Sequence, residues 1–213
     1  MKSEQNKSGS ILYNPKLGKR LYELGNRYVC EGGIWEKKKY ILWDDIDTLY
    51  LEATKTTVEF ILPAGESITL QVRDKIGTKI DLKLGAMFRI GRNNKEDFMS
   101  VYQFIVSQII DRQLEELLSS IKESRRVSFQ SFDITSSAIY RKKLFGGYDI
   151  IELYRILGCD FDNGEFIIKF VDDKGHLKSK KSGYVREIPN LHLAQTFILL
   201  VAQNNIKALN DEV

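Results

Sequence analysis

The apolar pattern of this chain changes from strand spacing to helical spacing twice, and this limits the fold more than any other feature. Residues 22–92 alternate runs of aromatic and β-branched side chains with charged or glycine-containing turns, which is typical of antiparallel strands. From Phe98 onward the apolar residues recur at helical spacing. The strand pattern restarts at Val127, and a second apolar helix is predicted from Leu191 to about Asn205. Strands followed by a helix, twice, predict a mainly β fold with helices.

The first helix is predicted over residues 95–123, which corresponds to roughly 40 Å at 1.5 Å per residue. Asn94 is the predicted N-cap, and Asp97 lies near the positive end of the helix dipole. One small barrel does not need so long a helix. We therefore expect its far half, with Leu114 and Leu117, to bridge to a second module or to form a homodimer contact.

Within the strand-rich parts, we expect long strands joined by short turns. Tyr40–Tyr50 is predicted as one strand, and Pro63–Glu66 as the turn of a hairpin. In the second part, Val127–Tyr140 and Tyr148–Leu157 are predicted strands, and Asp172–Gly175 is a predicted turn.

The two halves match at a fixed offset of 105 residues. At this offset Trp43-Asp44 corresponds to Tyr148-Asp149, and a basic segment precedes each pair. Each half also ends in a helix with an aromatic and aliphatic run. The recurrence in the same order predicts an internal duplication, and chance similarity between two amphipathic β segments is the alternative.

A short sheet must cover an exposed edge and an apolar face, which favours rolling it up and closing it with a helix. Gly25–Ile46, with Gly32-Gly33-Ile34 and Trp43-Asp44-Asp45-Ile46, is similar to bacterial pleckstrin-homology-like (PH-like) families of unknown function, as is Ile188-Pro189-Asn190-Leu191. This resemblance implies two PH-like barrels, each of about seven antiparallel strands capped by a C-terminal helix. Some relatives recognise lipid headgroups or proteins. The motifs carry fold rather than chemistry, so they imply no catalytic residue, and Tyr148 replaces the tryptophan in the second copy.

We therefore expect a flexible leader over residues 1–20, a first PH-like domain over 21–124 that includes the long helix, and a second over 125–213. The first ten residues lack the apolar core of a secretion signal, and no apolar run is long enough to span a membrane. The net charge of +3 argues mildly against a nucleic-acid partner. Cys30 and Cys159 are predicted to be free, buried thiols, which suits a cytoplasmic protein.

Residues suited to catalysis are few and scattered. His176 and His192 are expected to be surface or helix-cap residues, because no pattern of metal ligands surrounds them. Asp44 and Asp45 point to opposite faces of the predicted strand, so only Asp45 with Asp47 could share a carboxylate site, against the commoner role of solvated residues. The turn over residues 91–94 could hold an anion on free N–H groups, but it lacks the glycines of a phosphate loop. We expect no enzyme, no cofactor and no metal site.

The basic hairpin tips are the best candidates for a binding site. A tip is predicted between the first two strands of each module, where PH-like domains hold phosphate headgroups. Lys178, Lys180 and Lys181 could add to the second tip, and the alternative is a solvated hairpin whose charges block edge pairing. The candidate residues for binding anions or lipid headgroups are Lys37, Lys38, Lys39, Arg141, Lys142 and Lys143.

The sequence thus predicts a cytoplasmic, non-enzymatic binding or adaptor protein. Its first expected partner is another protein, or a second copy through the long helix. The alternative is a peripheral membrane protein that binds anionic headgroups through the basic tips, and an enzyme is the third hypothesis. Neither nucleic acid nor a cofactor is expected.

Overall fold

The computed structural model describes residues 11–13, 16–17, 20–25, 28–31, 39–58, 62–86 and 92–211. Within these residues the fold is mainly β with two α-helices, as the sequence predicts. The chain divides into two compact units, one up to Ile109 and one from Ile110. The division falls inside the first α-helix rather than at the predicted boundary after residue 124.

The first unit contains two antiparallel sheets separated in sequence by a 3-10 helix, Trp43–Asp45. In the first sheet the strand order is β1-β3-β4-β5, and β2 pairs with β3. Its strands are β1 (Ile11–Tyr13), β2 (Lys16–Leu17), β3 (Arg20–Gly25), β4 (Tyr28–Glu31) and β5 (Lys39–Leu42). The second sheet has the order β6-β7-β8. Its strands are β6 (Ile46–Val58), β7 (Leu62–Asp74) and β8 (Lys79–Ala86).

Three features of this unit differ from the sequence-based expectations. Strands β1 and β2 lie within the predicted leader, of which residues 1–10 are outside the described residues. The predicted strand Tyr40–Tyr50 is broken by the 3-10 helix, which contains Asp44 and Asp45, and aspartate is disfavoured in strands. The predicted turn Pro63–Glu66 is wrong, since these residues lie in β7. Proline is tolerated there because it falls near the start of a strand.

Helix α1 (Arg92–Lys122) supplies one wall of the first core. Phe98, Val101, Ile105 and Ile109 follow at helical spacing and are all buried. They pack with strand residues such as Ile46 in one cluster. The helix begins three residues before its predicted start, so Asn94 is inside the helix and is not its N-cap.

The second unit also contains two antiparallel sheets. The first has the order β12-β11-β10-β9. Its strands are β9 (Val127–Ser128), β10 (Phe132–Ile134), β11 (Ala138–Lys142) and β12 (Tyr148–Glu152). The second has the order β13-β14-β15. Its strands are β13 (Ile156–Asp162), β14 (Glu165–Val171) and β15 (Leu177–Tyr184). A 3-10 helix, Leu153–Arg155, separates the sheets, and a further one, Val185–Glu187, precedes helix α2 (Leu191–Asp211).

The core of the second unit is formed by both sheets and both helices. Phe132, Phe166 and Ile198 are fully or almost fully buried in it. Leu117 and Ile121, from the far half of α1, belong to the same cluster. Of the two predicted roles for the far half of α1, this packing agrees with the bridge to a second module. Leu118 keeps 37% of its surface exposed.

Both units contain, in this order, an antiparallel sheet, a 3-10 helix, a three-stranded sheet and an α-helix, and the second unit has the additional 3-10 helix Val185–Glu187 before α2. The predicted offset of 105 residues is wrong, because Trp43-Asp44 lies in a 3-10 helix whereas Tyr148-Asp149 lies in β12. The two 3-10 helices, 43–45 and 153–155, correspond at an offset of 110. At this offset Ile46 matches Ile156, and both are completely buried. In the described residues the four sheets are separate and none of them closes into a barrel.

Candidate functional site

The β11–β12 hairpin of the second unit carries the side chains that form the candidate site. Its last cross-strand pair is Lys142 with Tyr148. The amide of Gly146 donates a hydrogen bond to the carbonyl of Lys143 at 3.2 Å, and the amide of Lys143 donates to the carbonyl of Gly147 at 3.1 Å. Gly146 and Gly147 have φ values of +89° and +81°, a backbone region that favours glycine.

Leu144 and Phe145 are the two central residues of this turn. Leu144 has 92% of its surface exposed and Phe145 has 98%. Turn centres normally carry glycine, proline, asparagine or aspartate. We call Leu144 and Phe145 the apolar tip.

One face of the hairpin gathers cations around a single carboxylate. Arg141 lies opposite Asp149 in the strand pairing, and their side chains are joined by a 2.8 Å ion pair. The Nζ atoms of Lys143 and Lys180 lie 3.2 Å and 2.9 Å from the same carboxylate. The hydrogen bond from Lys180, followed by those from Lys143 and Arg141, lowers the pKa of Asp149 to about 2. Asp149 therefore remains charged and holds three cations together.

The other face carries a second group. Arg126 lies 2.7 Å from Oδ2 of the buried Asp133, and Nζ of Lys142 lies 3.6 Å from its Oδ1. Lys142 also donates a 2.6 Å hydrogen bond to the carbonyl of Gln130. The guanidinium of Arg126 lies over the rings of Tyr140 and Tyr148, 4.6 Å and 4.4 Å from their centroids.

Since successive side chains of a strand point to opposite faces, these two groups surround the end of the hairpin. We call their five cations the cation collar: Arg126, Arg141, Lys142, Lys143 and Lys180. Two carboxylates, Asp133 and Asp149, are paired with these five cations, which leaves three positive charges in excess.

The structure places the predicted site residues unequally. Arg141, Lys142 and Lys143 come together in the cation collar, although the first two lie in β11 rather than at the tip itself. Of the first predicted tip, Lys39 is an exposed residue of β5, whereas Lys37 and Lys38 lie outside the described residues. Lys181 pairs with Glu165, and Lys178 lies 3.8 Å from Asp172.

Sequence reasoning missed the apolar tip and the two organising carboxylates. The offset of 105 placed Leu144-Phe145 opposite Lys39-Tyr40, at the start of a strand. The Gly146-Gly147 pair directly after them was the available signal for a turn. Asp149 and Lys180 are 31 residues apart in sequence, so only the packing of β15 beside the hairpin brings them together.

The candidate catalytic residues do not converge. His176 is exposed, whereas His192 is buried and lies 2.8 Å from Oε1 of Gln113, with Nε2 as the nearest atom. Burial lowers the pKa of His192 to about 4. His192 was predicted to lie at the surface or at a helix cap, and the prediction that its side chain is exposed is wrong.

The acidic cluster and Cys159 also do not form a candidate catalytic site. Asp44 and Asp45 lie in the 3-10 helix, so the prediction that they alternate along a strand is wrong, and Asp47 accepts a hydrogen bond from the Thr48 hydroxyl. Cys159 is a free, half-buried thiol, and burial raises its pKa to about 11. The side chain of Cys30 and residue 91 of the predicted anion turn lie outside the described set.

Among the described residues, no group of three or more histidine, cysteine, aspartate or glutamate side chains could hold a metal ion. Neither described helix is long and apolar enough to cross a bilayer. In comparisons with known proteins, no family model and no curated sequence matches this chain.

Proposed function

We propose that this chain is a non-enzymatic, cytoplasmic binding protein that associates with anionic membrane surfaces through the cation collar. The excess of three positive charges around one hairpin end carries the proposal. A lysine or arginine near an anionic leaflet contributes about 1 kcal/mol, so three such charges contribute about 3 kcal/mol before screening by salt. Binding of this kind is reversible and sensitive to salt.

The absence of catalysis is part of the proposal. A thiol with a raised pKa is a poor nucleophile, which fits the half-buried Cys159. A histidine that stays neutral down to about pH 4 does not exchange protons near neutral pH, which fits His192. Neither group lies on the hairpin that carries the collar.

We also propose that each unit is a PH-like module and that the two arose by duplication. In the second unit, Nε of Arg141 donates a hydrogen bond to the carbonyl of Lys181, so the end of the first sheet lies against β15. In the first unit, β8 lies next to β4. These approaches support a partly rolled arrangement of two sheets in each unit. An experimental structure in which the units do not superimpose at an offset of 110 would contradict the duplication.

Vesicle flotation tests the membrane proposal. We expect the protein to float with vesicles that contain phosphatidylserine and not with vesicles of phosphatidylcholine alone, with binding that weakens as NaCl is raised. The double variant Lys142→Glu/Lys143→Glu should bind at least about tenfold more weakly, because it reverses two of the collar charges.

The matched control is Lys174→Glu/Lys207→Glu, which makes the same change in net charge at two exposed lysines of other elements. We expect this control to keep most of the wild-type affinity. Equal losses in the two double variants would show that only net charge matters, and the collar would then not be the site.

Contact with a protein, the first expectation from sequence, is the second candidate. Helix α2 exposes Leu199, Leu200 and Ile206, and Leu199 and Ile206 are seven residues apart on one face. A photo-reactive residue at position 199 should then cross-link one protein in cells, and the same residue at the exposed position 174, in the turn between β14 and β15, should not. The variant Leu199→Glu/Leu200→Glu should abolish binding of that purified protein. Equal cross-linking from positions 199 and 174 would argue against this candidate.

A further inference from the structure

Packing among the described residues does not explain the composition of the apolar tip. Leu144 and Phe145 are both more than nine-tenths exposed, and they form the apex of a turn. Burying a side chain of this size stabilises a protein, whereas exposing it to water contributes nothing. The neighbouring Gly146 and Gly147 supply the positive φ angles of the turn. Formation of the turn therefore does not require apolar side chains at positions 144 and 145.

The cation collar lies directly below the apolar tip. The last cross-strand pair, Lys142 with Tyr148, is two residues from the apex, which corresponds to about 7 Å along a strand. Helices that lie in membrane interfaces bury their apolar face by about 5–10 Å. The charged groups are therefore at the depth of the headgroups when the apolar tip is in the acyl region.

The arrangement of charge around the hairpin identifies the kind of partner. Arg141, Lys143 and Lys180 lie on one face, and Arg126 and Lys142 lie on the other. An anionic groove on a protein that took up only one face of the hairpin would leave the other cations unmatched. A continuous anionic surface penetrated by the tip contacts both faces at once.

We propose that Leu144 and Phe145 insert into the acyl region of an anionic lipid bilayer, while the cation collar binds the headgroups around them. This inference rests on the proposed function and adds the part of the lipid that the chain contacts. Tyr148, partly exposed next to the collar, provides an aromatic ring with a polar end at the level of the interface.

Depth-dependent quenching tests the insertion directly. Phe145→Trp places a fluorophore at the apolar tip, and vesicles of phosphatidylserine with acyl-brominated phosphatidylcholine quench a tryptophan that enters the acyl region. Ile76→Trp is the matched control, because Ile76 is an 89% exposed apolar residue of another hairpin turn, between β7 and β8. We expect strong additional quenching for Phe145→Trp and none for Ile76→Trp, relative to the wild-type chain.

Affinity provides a second measurement on the same vesicles. Leu144→Ser/Phe145→Ser should bind about a hundredfold more weakly than wild type, since two inserted apolar side chains are lost. Ile76→Ser should bind like wild type. Both variants should keep the wild-type melting temperature, because the changed side chains are exposed, and this confirms that the variants remain folded. The binding that remains in the double serine variant should be more sensitive to NaCl, because only charge then holds the chain to the bilayer.

The possible outcomes separate this inference from the proposed function. Charge-dependent flotation without quenching at position 145 would overturn the insertion and leave the proposed function standing. Equal quenching at positions 76 and 145 would also overturn it, because insertion would not be specific to the apolar tip. Absence of wild-type flotation at low salt would overturn both.

Discussion

The two units attach their 3-10 helix to the following α-helix by different chemistry. In the first unit, the buried ring of Trp43 packs edge-on against Phe104 of α1, with ring centroids 6.2 Å apart. In the second, the side-chain amide of Asn205 in α2 donates to the carbonyls of Leu153 and Ile156, each at 2.8 Å. The same joint in the element order can therefore be made by apolar packing or by directional hydrogen bonds.

The difference determines which substitutions each contact between 3-10 helix and α-helix tolerates. The packing of Trp43 against Phe104 depends on the volume of the two side chains and tolerates small changes in their orientation. The hydrogen bonds of Asn205 instead require an N–H donor at a fixed position. The second unit also buries the polar pair His192 and Gln113 where its two helices contribute to the core. We therefore expect the first unit to respond most strongly to changes in volume and the second to changes in polarity and pH.

The largest effect is expected from Trp43→Ala. Removing a buried tryptophan leaves a cavity and should lower the free energy of unfolding by about 3–5 kcal/mol. The corresponding Leu153→Ala in the second unit should cost less, about 1–2 kcal/mol, because Leu153 is only half-buried. Amide hydrogen exchange measured in β6–β8 and in β13–β15 compares the two. A larger loss of unfolding free energy for Leu153→Ala than for Trp43→Ala would contradict the conclusion that apolar packing holds the 3-10 helix of the first unit to α1.

The second largest effect is an acid destabilisation of the second unit. Burial lowers the pKa of His192 to about 4, so the unfolded chain binds a proton near pH 6.5 that the folded chain does not bind until about pH 4. The free energy of unfolding should fall by up to about 3 kcal/mol as the pH drops through this range. Urea unfolding of wild type and of His192→Gln measures the difference.

The control for this prediction is His176→Gln, which removes the exposed histidine and should keep the pH dependence. Residues 110–213 contain no tryptophan, so unfolding of the second unit is followed by amide hydrogen exchange in β13–β15 rather than by tryptophan fluorescence. An unchanged pH profile in His192→Gln would show that another group causes the acid sensitivity.

A moderate effect is expected from Asn205→Ala. The variant removes two neutral hydrogen bonds, which together stabilise the fold by about 2 kcal/mol. Asn204→Ala, at the exposed neighbouring position, should cost less than about 0.5 kcal/mol. Thermal or urea unfolding measures the loss of unfolding free energy in each variant. Equal losses would show that the hydrogen bonds of Asn205 do not stabilise the contact between the 3-10 helix and α2.

The smallest effect on stability is expected from Asp149→Asn. The ion pairs of Asp149 lie near the surface, so their loss should cost less than about 1 kcal/mol. The pKa of Asp149 is lowered to about 2, so its contribution is present above the unfolded pKa near 3.9 and is lost only as the pH falls towards 2. Unfolding at pH 7 and pH 3 checks this, and a loss above 2 kcal/mol would show that the collar is a structural network.

Several elements were predictable because they depend on short stretches of sequence. The helical spacing from Phe98 onward predicted α1 to within three residues of its start, and the turn at Asp172–Gly175 was correct, with Asp172 accepting hydrogen bonds from the amides of Lys174 and His176. The basic residues 141–143 lie together on one hairpin, but it joins the third and fourth strands of the second unit, β11 and β12, rather than the first two as predicted.

Other features depend on contacts that local patterns do not contain. The breaks at Trp43–Asp45 and Leu153–Arg155 are flanked by apolar residues on both sides, and the sequence-based prediction continued each strand across the polar residues between them. Asp149 became an organising carboxylate only because Lys180 approaches from β15. For the far half of α1, local spacing left two alternatives, a bridge to the second module or a dimer contact, and only the packing of Leu117 and Ile121 in the second core decides for the first.

The sequence by itself determined that strands are followed by a helix twice, the mainly β class and the presence of a basic segment at residues 141–143. These depend on spacing and composition over a few residues, where backbone geometry and burial leave few alternatives. The tertiary structure decided which charges share a carboxylate, which leucines are covered and that Leu144 and Phe145 are left at an exposed apex. Those outcomes require segments distant in sequence to meet, because burial and ion pairing are properties of the surroundings rather than of the residue.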